Sequence, residues 1–278
     1  MSPSDDPLGE SAGRVELTAP AKLTTGLRVV GVRPDGFHLL DAEMVTLDLA
    51  DTLEVVEADD VEVTVDVLDE ALGHGDVRSV RDGTDNLVAR ALHAIGRRAR
   101  VRLTKRIPAG AGLGGGSADA AAVLRWAGIT DPAVAARLGA DVPFCLVGGR
   151  ARVGGIGEIV TPLPHRDREF VVLLLPFGVQ TAAVYGAWDE LAGERSEDNT
   201  SAPAPGGNDL EAAALRVEPR LARWRDAFSE ATERPVRLAG SGSSWFVEGS
   251  LASLGLDDPV LRLGGHSGRM ITARTVAD

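Results

Sequence analysis

The sequence lacks several features that would point to particular classes of protein. Cys145 is the only cysteine among 278 residues, which excludes internal disulfides and a cysteine metal cluster. Positive charge is in deficit: the formal net charge of −12 argues against nucleic acid and anionic membranes as partners. No apolar run approaches the length of a membrane span, and the longest, 170–175, has the length of a strand.

A secretion signal is also missing. Residues 1–13 are polar, contain proline and glycine, and have no apolar segment, which predicts a cytoplasmic protein. Hydrophobic residues make up 44% of the chain, enough for a substantial core, and the length suits two modest domains. We expect a monomer or a weak homodimer that binds small molecules and has no nucleic-acid or membrane partner.

What the chain does have is a glycine-rich stretch at 107–121. It follows a predicted strand at 100–106 and leads into an alanine-rich helix predicted for 117–126. Five glycines fall within seven positions, at Gly110, Gly112, Gly114, Gly115 and Gly116. Backbone N–H groups of such a loop and of the first helical turn form an anion site that suits phosphate. Ser117 would cap the helix or offer its hydroxyl to a phosphate or a metal ion.

The loop alone leaves alternatives open. A glycine turn without a ligand is one of them. No G-x-x-x-x-G-K-[ST] sequence is present, so the loop is not a P-loop. Gly110, Gly112 and Gly115 satisfy the G-x-G-x-x-G dinucleotide pattern, but Asp131 precedes Pro132 and is typical of a helix cap, not of the strand end that this pattern requires.

Five other residues carry side chains that could act in binding or catalysis, and each also has a plain structural interpretation. Lys22 follows Pro20 between strands predicted at 14–19 and 23–30, and most such lysines lie on the surface. Asp141, in an Asp-x-Pro sequence, is typical of a turn or cap. Phe37-His38 follow a Pro-Asp-Gly turn, and Tyr185 has the spacing of a buried helix residue. Two short strands are predicted within 45–55, around Ala50-Asp51, and a helical turn at 260–263.

Residues 108–117, Pro-x-x-x-Gly-Leu-Gly-Gly-Gly-Ser, resemble the phosphate-binding motif of the GHMP kinases. The resemblance implies an α+β fold of two domains. The first, over 14–163, would be like ribosomal protein S5 domain 2, and the second, over 164–278, would be ferredoxin-like, with ATP and substrate in the cleft between them. The residues that would hold the phosphates of ATP with Mg²⁺ are Pro108, Gly110, Gly112, Leu113, Gly114, Gly115, Gly116 and Ser117, and Ser117 is the implied metal contact.

Further motifs extend the resemblance along nearly the whole chain. Gly-Ala-Asp-Val-Pro-Phe at 139–144 is similar to the segment that carries the catalytic base, which implies this role for Asp141. Ala19-Pro-Ala-Lys-Leu is similar to the motif whose lysine lies beside that base, which implies Lys22. Thr24 stands where the family usually has asparagine, so a hydroxyl of shorter reach replaces an amide at this position. Gly-Ser-Gly at 240–242 resembles a third motif beside the phosphate loop.

The triple glycine and the following Ser-Ala-Asp-Ala-Ala are most similar to the branch of the family in the non-mevalonate isoprenoid pathway. Its substrate is a diphosphocytidyl-linked alcohol. The resemblance implies that Phe37 and Tyr185 stack on the cytosine and that His38 hydrogen-bonds it. Another GHMP kinase, for homoserine, mevalonate or a sugar, is the nearest alternative. A catalytically silent nucleotide-binding relative and a dinucleotide-dependent oxidoreductase are the others.

Overall fold

The computed structural model describes residues 13–67, 86–194 and 207–277 of the chain. The strands within these ranges are β1 (Val15–Val32), β2 (His38–Glu57), β3 (Glu62–Val67), β4 (Ala99–Lys105), β5 (Arg150–Gly155), β6 (Ile159–Leu163), β7 (Glu169–Leu174), β8 (Arg237–Leu238), β9 (Trp245–Glu248), β10 (Val260–Leu263) and β11 (His266–Arg274). The helices are α1 (Leu87–Ala94), α2 (Gly115–Trp126), α3 (Pro132–Ala136), α4 (Val142–Val147), α5 (Thr181–Glu194), α6 (Glu211–Val217) and α7 (Arg220–Thr232). None of the helices in this described part is long and apolar enough to cross a membrane.

The first sheet is built around the long strand β2. The antiparallel partner β1 runs along one edge of β2, while β4 and β5 share the other edge. β3 extends the sheet beyond β4 in parallel, and β6 extends it beyond β5 in antiparallel orientation, which gives six strands. α1 and α2 pack together and cover this sheet.

Two pairs of predicted strands are single strands in the structure, so those predictions were wrong. β1 is continuous from Val15 through residue 30, because an irregularity in pairing between Pro20 and Lys22 carries the strand past the proline, and a second lies between Thr24 and Gly26. β2 is continuous through 45–55, and Asp51 lies inside it, fully buried. Asp51 is paired with the cation of Lys105, so it can be buried without a break in the strand.

The second sheet has five antiparallel strands in the order β10-β11-β7-β9-β8. The helical turn predicted at 260–263 was wrong: this segment is β10, which pairs with β11 across a turn at Gly264 and Gly265. A run of four residues is too short to show whether its period is that of a strand or a helix, and the pairing partner decides. Strands and helices are mixed in both halves, as the predicted α+β class requires.

A dedicated apolar cluster joins the two sheets next to the glycine loop. Leu23 and Leu47 from the first sheet meet Phe170 and Phe246 from the second, and Leu113 of the loop belongs to the same cluster. The rings of the two phenylalanines lie edge to face, with centroids 5.8 Å apart. The loop is therefore anchored where the two sheets pack against each other.

Candidate active site

A cleft of about 900 Å³ opens beside this junction. The structure brings every residue that the sequence singled out to its walls, where they stand together with Asp189, Lys105 and Asp119. The singled-out residues are Lys22, Thr24, Phe37, His38, Pro108, Gly110, Gly112, Leu113, Gly114, Gly115, Gly116, Ser117, Asp141 and Tyr185.

The glycine loop ends in the open N-terminus of α2. Gly114 is the N-cap residue, in a left-handed conformation with φ of 70°, and no side chain caps the helix. The prediction that Ser117 caps the helix was wrong: α2 begins at Gly115, and Ser117 lies in its first turn. Its hydroxyl has no hydrogen-bond partner among the described residues, so both this hydroxyl and the first-turn N–H groups can bind an anion.

Backbone contact with the turn at 239–244 holds the loop in place. Gly112 has φ of +78°, and a Cβ at this residue would lie 2.6 Å from the carbonyl oxygen of Ala239 and 2.7 Å from that of Gly242. The N–H of Ser244 donates to the carbonyl of Ala111 over 3.2 Å. Only glycine has both the conformational freedom and the absence of a side chain that this close approach demands.

Asn208 positions the same turn from the other side. Its amide nitrogen donates to the carbonyls of Leu238 and Gly240, at 3.0 and 2.7 Å. The neighbouring Asp209 accepts from the N–H of Val29 in β1, at 2.9 Å. The segment thus links β1, which carries Lys22, to the turn against which the glycine loop packs.

Lys22 and Asp141 form an ion pair at the floor of the cleft. Nζ of Lys22 lies 3.2 Å from Oδ2 of Asp141 and donates to Oγ1 of Thr24, also over 3.2 Å. Lys22 is only 5% exposed, so the interpretation as a surface lysine is wrong. Its stem packs against Gly114, where a Cβ would come within 2.7 Å of Cγ. Asp141 is the N-cap residue of α4, but its side chain makes no capping hydrogen bond, so the carboxylate can interact with groups in the cleft.

Three ring-bearing residues, Phe37, His38 and Tyr185, also line the cleft. Phe37 is 55% exposed, while the rings of His38 and Tyr185 pack with centroids 4.7 Å apart. Burial, followed by the nearby charge of Asp141, raises the pKa of Tyr185 to about 12, so its hydroxyl stays protonated. Nε2 of His38 lies 2.7 Å from Oδ1 of Asp189 on α5, a contact that the sequence patterns did not indicate.

A buried charge cluster beneath the loop was also missed. Nζ of Lys105 binds the carboxylates of Asp51 and Asp119, the latter at 2.7 Å, and Asp51 accepts the N–H groups of Arg106 and Ile107 as well. Burial alone would lower the pKa of Lys105, but the two carboxylates outweigh it and raise this pKa. Burial raises the pKa of Asp119 to about 7: the cation of Lys105 opposes this rise, and the neighbouring carboxylate of Asp51 adds to it.

This cluster connects the end of β4 to the first turns of α2, and the glycine loop spans the gap between them. Gly115 packs directly on it, since a Cβ there would lie 3.1 Å from Nζ of Lys105. The signal in the sequence was a lone lysine at the end of a predicted strand and an aspartate in a predicted helix. Neither Lys105 nor Asp119 indicates a buried cluster in the sequence, because the cluster forms only when β2 brings Asp51 next to them.

Fold and site together define a small-molecule kinase of the GHMP type. The profile of the GHMP kinases N terminal domain matches residues 86–149. A solved mevalonate kinase from Methanococcus jannaschii, 13% identical, superposes with a TM-score of 0.56 over 96% of this chain and 100% of its own, which supports the fold alone. The dinucleotide alternative does not fit, because the strand after α2, β5, pairs antiparallel with β2 and not parallel with β4.

More similar relatives narrow the assignment. The 4-diphosphocytidyl-2-C-methyl-D-erythritol kinase of Paracoccus denitrificans is 38% identical over 245 residues, 82% of this chain and 84% of the relative. That of Ruegeria pomeroyi is 37% identical over 254 residues, 84% of this chain and 88% of the relative. A crystal structure of a 4-(cytidine 5'-diphospho)-2C-methyl-D-erythritol kinase, 30% identical, superposes over 95% of this chain and 100% of its own with a TM-score of 0.67. The chain belongs to the 4-diphosphocytidyl-2-C-methyl-D-erythritol kinase family.

Proposed function

We propose that this protein transfers the γ-phosphoryl group of ATP to the 2-hydroxyl of 4-diphosphocytidyl-2-C-methyl-D-erythritol, in the synthesis of isoprenoid precursors. The observation that carries the proposal is the 3.2 Å contact between Lys22 and Asp141 beside the open N-terminus of α2. Phosphoryl transfer depends mainly on positioning and charge stabilisation, and this arrangement supplies a carboxylate, a cation and a phosphate site within one cleft.

The glycine loop is the proposed binding site for the ATP phosphates. Residues 112–117 direct the backbone N–H groups at the start of α2 toward the cleft, and the helix dipole favours negative charge there. Pro108 and Gly110 lie where the loop leaves β4 and shape its entry. The buried cluster of Lys105 with Asp51 and Asp119 keeps the two ends of the loop at a constant separation.

Magnesium is the proposed companion of ATP. No group of three or more His, Cys, Asp or Glu side chains that could hold a metal ion occurs in the described ranges. This fits a metal held chiefly by the nucleotide phosphates, with the hydroxyl of Ser117, which has no partner among the described residues, as its protein contact. When bound, the metal would neutralise charge on the transferred phosphoryl group.

Asp141 is the proposed general base. It takes the proton of the 2-hydroxyl as this oxygen forms its bond to the γ-phosphorus, and the bond from phosphorus to the bridging oxygen of ADP breaks. Lys22 holds the carboxylate in position and offsets negative charge between the reactants. Thr24 accepts from Lys22 and so limits where Nζ can point, a role that a hydroxyl performs without the usual asparagine amide.

The cytosine end of the substrate is proposed to lie against Phe37, His38 and Tyr185. The two aromatic rings present flat apolar faces at one end of the cleft, and a pyrimidine stacks well on such faces. We propose a domain division at 14–163 and 164–278, which would assign Phe37 and His38 to the first domain and Tyr185 to the second. We propose a monomer or weak homodimer, in the cytoplasm where ATP is supplied.

The experiment measures ADP release from Mg²⁺-ATP and the diphosphocytidyl substrate for wild type, Asp141→Asn and Asp131→Asn. Asparagine keeps the shape of Asp141 but is not a base, so kcat should fall by about 10² to 10⁴. Asp131→Asn is the matched control, because Asp131 caps α3 and asparagine is an equally good cap. Undiminished turnover in the Asp141 variant would remove the proposed base, and a folded wild type that turns over no substrate would remove the proposed reaction.

A further inference from the structure

The ring of His38 is held in one orientation from across the cleft. Its Nε2 lies 2.7 Å from Oδ1 of Asp189, a residue 151 positions further along the chain on α5. The ring stacks at a tilt on Tyr185, and Trp188 meets it edge to face with centroids 5.4 Å apart. The side chain of His38 is only 10% exposed, so it has little room to turn.

This contact determines which ring nitrogen of neutral His38 carries the proton. An ionised carboxylate can only accept hydrogen bonds, so Nε2 must be the protonated nitrogen that donates to Asp189. Nδ1 is then left with a lone pair. Among the described residues no group hydrogen-bonds to Nδ1, and the histidine lines the cleft, in which the proposed function places a nucleobase. The protein thus presents an acceptor to whatever base lies there.

Cytosine and uracil differ in just this respect. Cytosine carries an amino group at position 4, which donates, whereas uracil carries a carbonyl oxygen, which accepts. An unprotonated Nδ1 accepts a hydrogen bond from the cytosine amine. With uracil, Nδ1 faces an oxygen that is also an acceptor, so no hydrogen bond forms and both groups are desolvated without a partner. We propose that Asp189 is a positioning residue that fixes the tautomer of His38 and thereby selects cytosine over uracil. The inference rests on the proposed function, which places a pyrimidine at this end of the cleft.

The substitution Asp189→Asn tests the inference. An asparagine amide can present either its oxygen or its NH₂ group to Nε2, so the ring is free to take either tautomer. Asp189 is half exposed and the replacement has the same shape, so the variant should fold. The matched control is Glu190→Gln, one residue further on α5, which removes the same charge from an exposed side chain paired with Arg216 at 3.3 Å, outside the cleft.

The first readout is the ratio of kcat/KM for the cytidine substrate to that for its uridine analogue. Wild type and Glu190→Gln should prefer cytidine by about 100-fold or more. In Asp189→Asn the preference should narrow by about tenfold, the value of one neutral hydrogen bond, through a higher KM for the cytidine substrate with kcat largely kept. An unchanged ratio in Asp189→Asn, or an equal change in Glu190→Gln, would overturn the inference.

The second readout does not need turnover. Long-range ¹H–¹⁵N spectra should show His38 protonated on Nε2 in wild type and as a mixture of tautomers in Asp189→Asn. Calorimetry with CDP and UDP should show the same narrowing of preference as the kinetics. A wild-type ring protonated on Nδ1 would contradict the inference. If wild type phosphorylates neither nucleotide-linked alcohol, the proposed reaction fails, while the spectra and the binding ratio still decide the role of Asp189.

Discussion

Replacing Gly112 by alanine should damage both the stability of the protein and its use of ATP. Residue 112 has φ of +78°, which costs a side chain of an L-residue about 1–2 kcal/mol. The added Cβ would also lie 2.6 and 2.7 Å from two carbonyl oxygens of the turn at 239–242. These oxygens belong to the backbone, so relief requires the loop and the turn to separate by roughly 0.5 Å, and overpacking of this kind costs about 1–3 kcal/mol more.

The expected total is therefore about 2–5 kcal/mol in the free energy of unfolding, measured by urea titration. Because the displaced loop is the proposed phosphate site, kcat/KM for ATP should fall at least about tenfold as well. Gly128→Ala is the matched control: its φ is +74°, but nothing lies within 4 Å of the new Cβ. It should lose only the conformational cost, about 1–2 kcal/mol, with ATP kinetics unchanged. Equal losses of stability in the two variants, or unchanged ATP kinetics in Gly112→Ala, would contradict the close packing of Gly112 against the turn at 239–242.

Three further predictions concern ionisable side chains that are buried or paired. Lys105→Met leaves two buried carboxylates without their cation and should lower the free energy of unfolding by about 3–5 kcal/mol in urea titrations. The control Arg106→Met, at an exposed neighbour, should change it by no more than about 0.5 kcal/mol. Similar losses in the two variants would contradict the buried cluster. The hydrogen bonds from Arg150 lower the pKa of Glu43 below 4.5, so Glu43→Gln should be about 1 kcal/mol less stable than wild type at pH 7. This difference in stability should disappear as the pH falls below 4.5 through the lowered pKa, because wild-type Glu43 then becomes protonated. A difference that does not depend on pH would contradict the ion pair. Burial raises the pKa of Cys145 to about 12, so a thiol reagent at pH 8 should label this residue only as the protein unfolds, and rapid labelling of the native protein would contradict its placement.

The parts of the site that sequence could predict are those encoded locally. The glycine loop is one continuous stretch, and its strand–loop–helix context follows from the residues around it. The position of the loop between β4 and α2 was therefore predicted, but the cap was not, because Gly114 takes the position that Ser117 was expected to occupy. The resemblance to the GHMP kinases, not the local pattern, indicated that Lys22 and Asp141 meet.

Contacts between distant segments could not be predicted in this way. Two short strands were predicted around Ala50-Asp51 where the structure has one. An aspartate buried inside an apolar strand is costly without a partner, and the partner of Asp51, Lys105, lies 54 residues away. Asp189 was one acidic residue among several near the end of a helix, and its role depends on His38 in the other half of the chain. The irregular pairing that carries β1 past Pro20 likewise depends on β2, which no pattern within 14–30 specifies.

The position of the transferred phosphate in the product tests the proposed reaction most directly. The wild-type protein is incubated with Mg²⁺-ATP and 4-diphosphocytidyl-2-C-methyl-D-erythritol, and the product is examined by ³¹P NMR and by carbon–phosphorus coupling. We expect one new phosphomonoester on the oxygen at carbon 2, an intact cytidine diphosphate linkage, and one ADP for each product molecule. A phosphate on a different oxygen, or ADP release without a phosphorylated product, would contradict the proposed reaction.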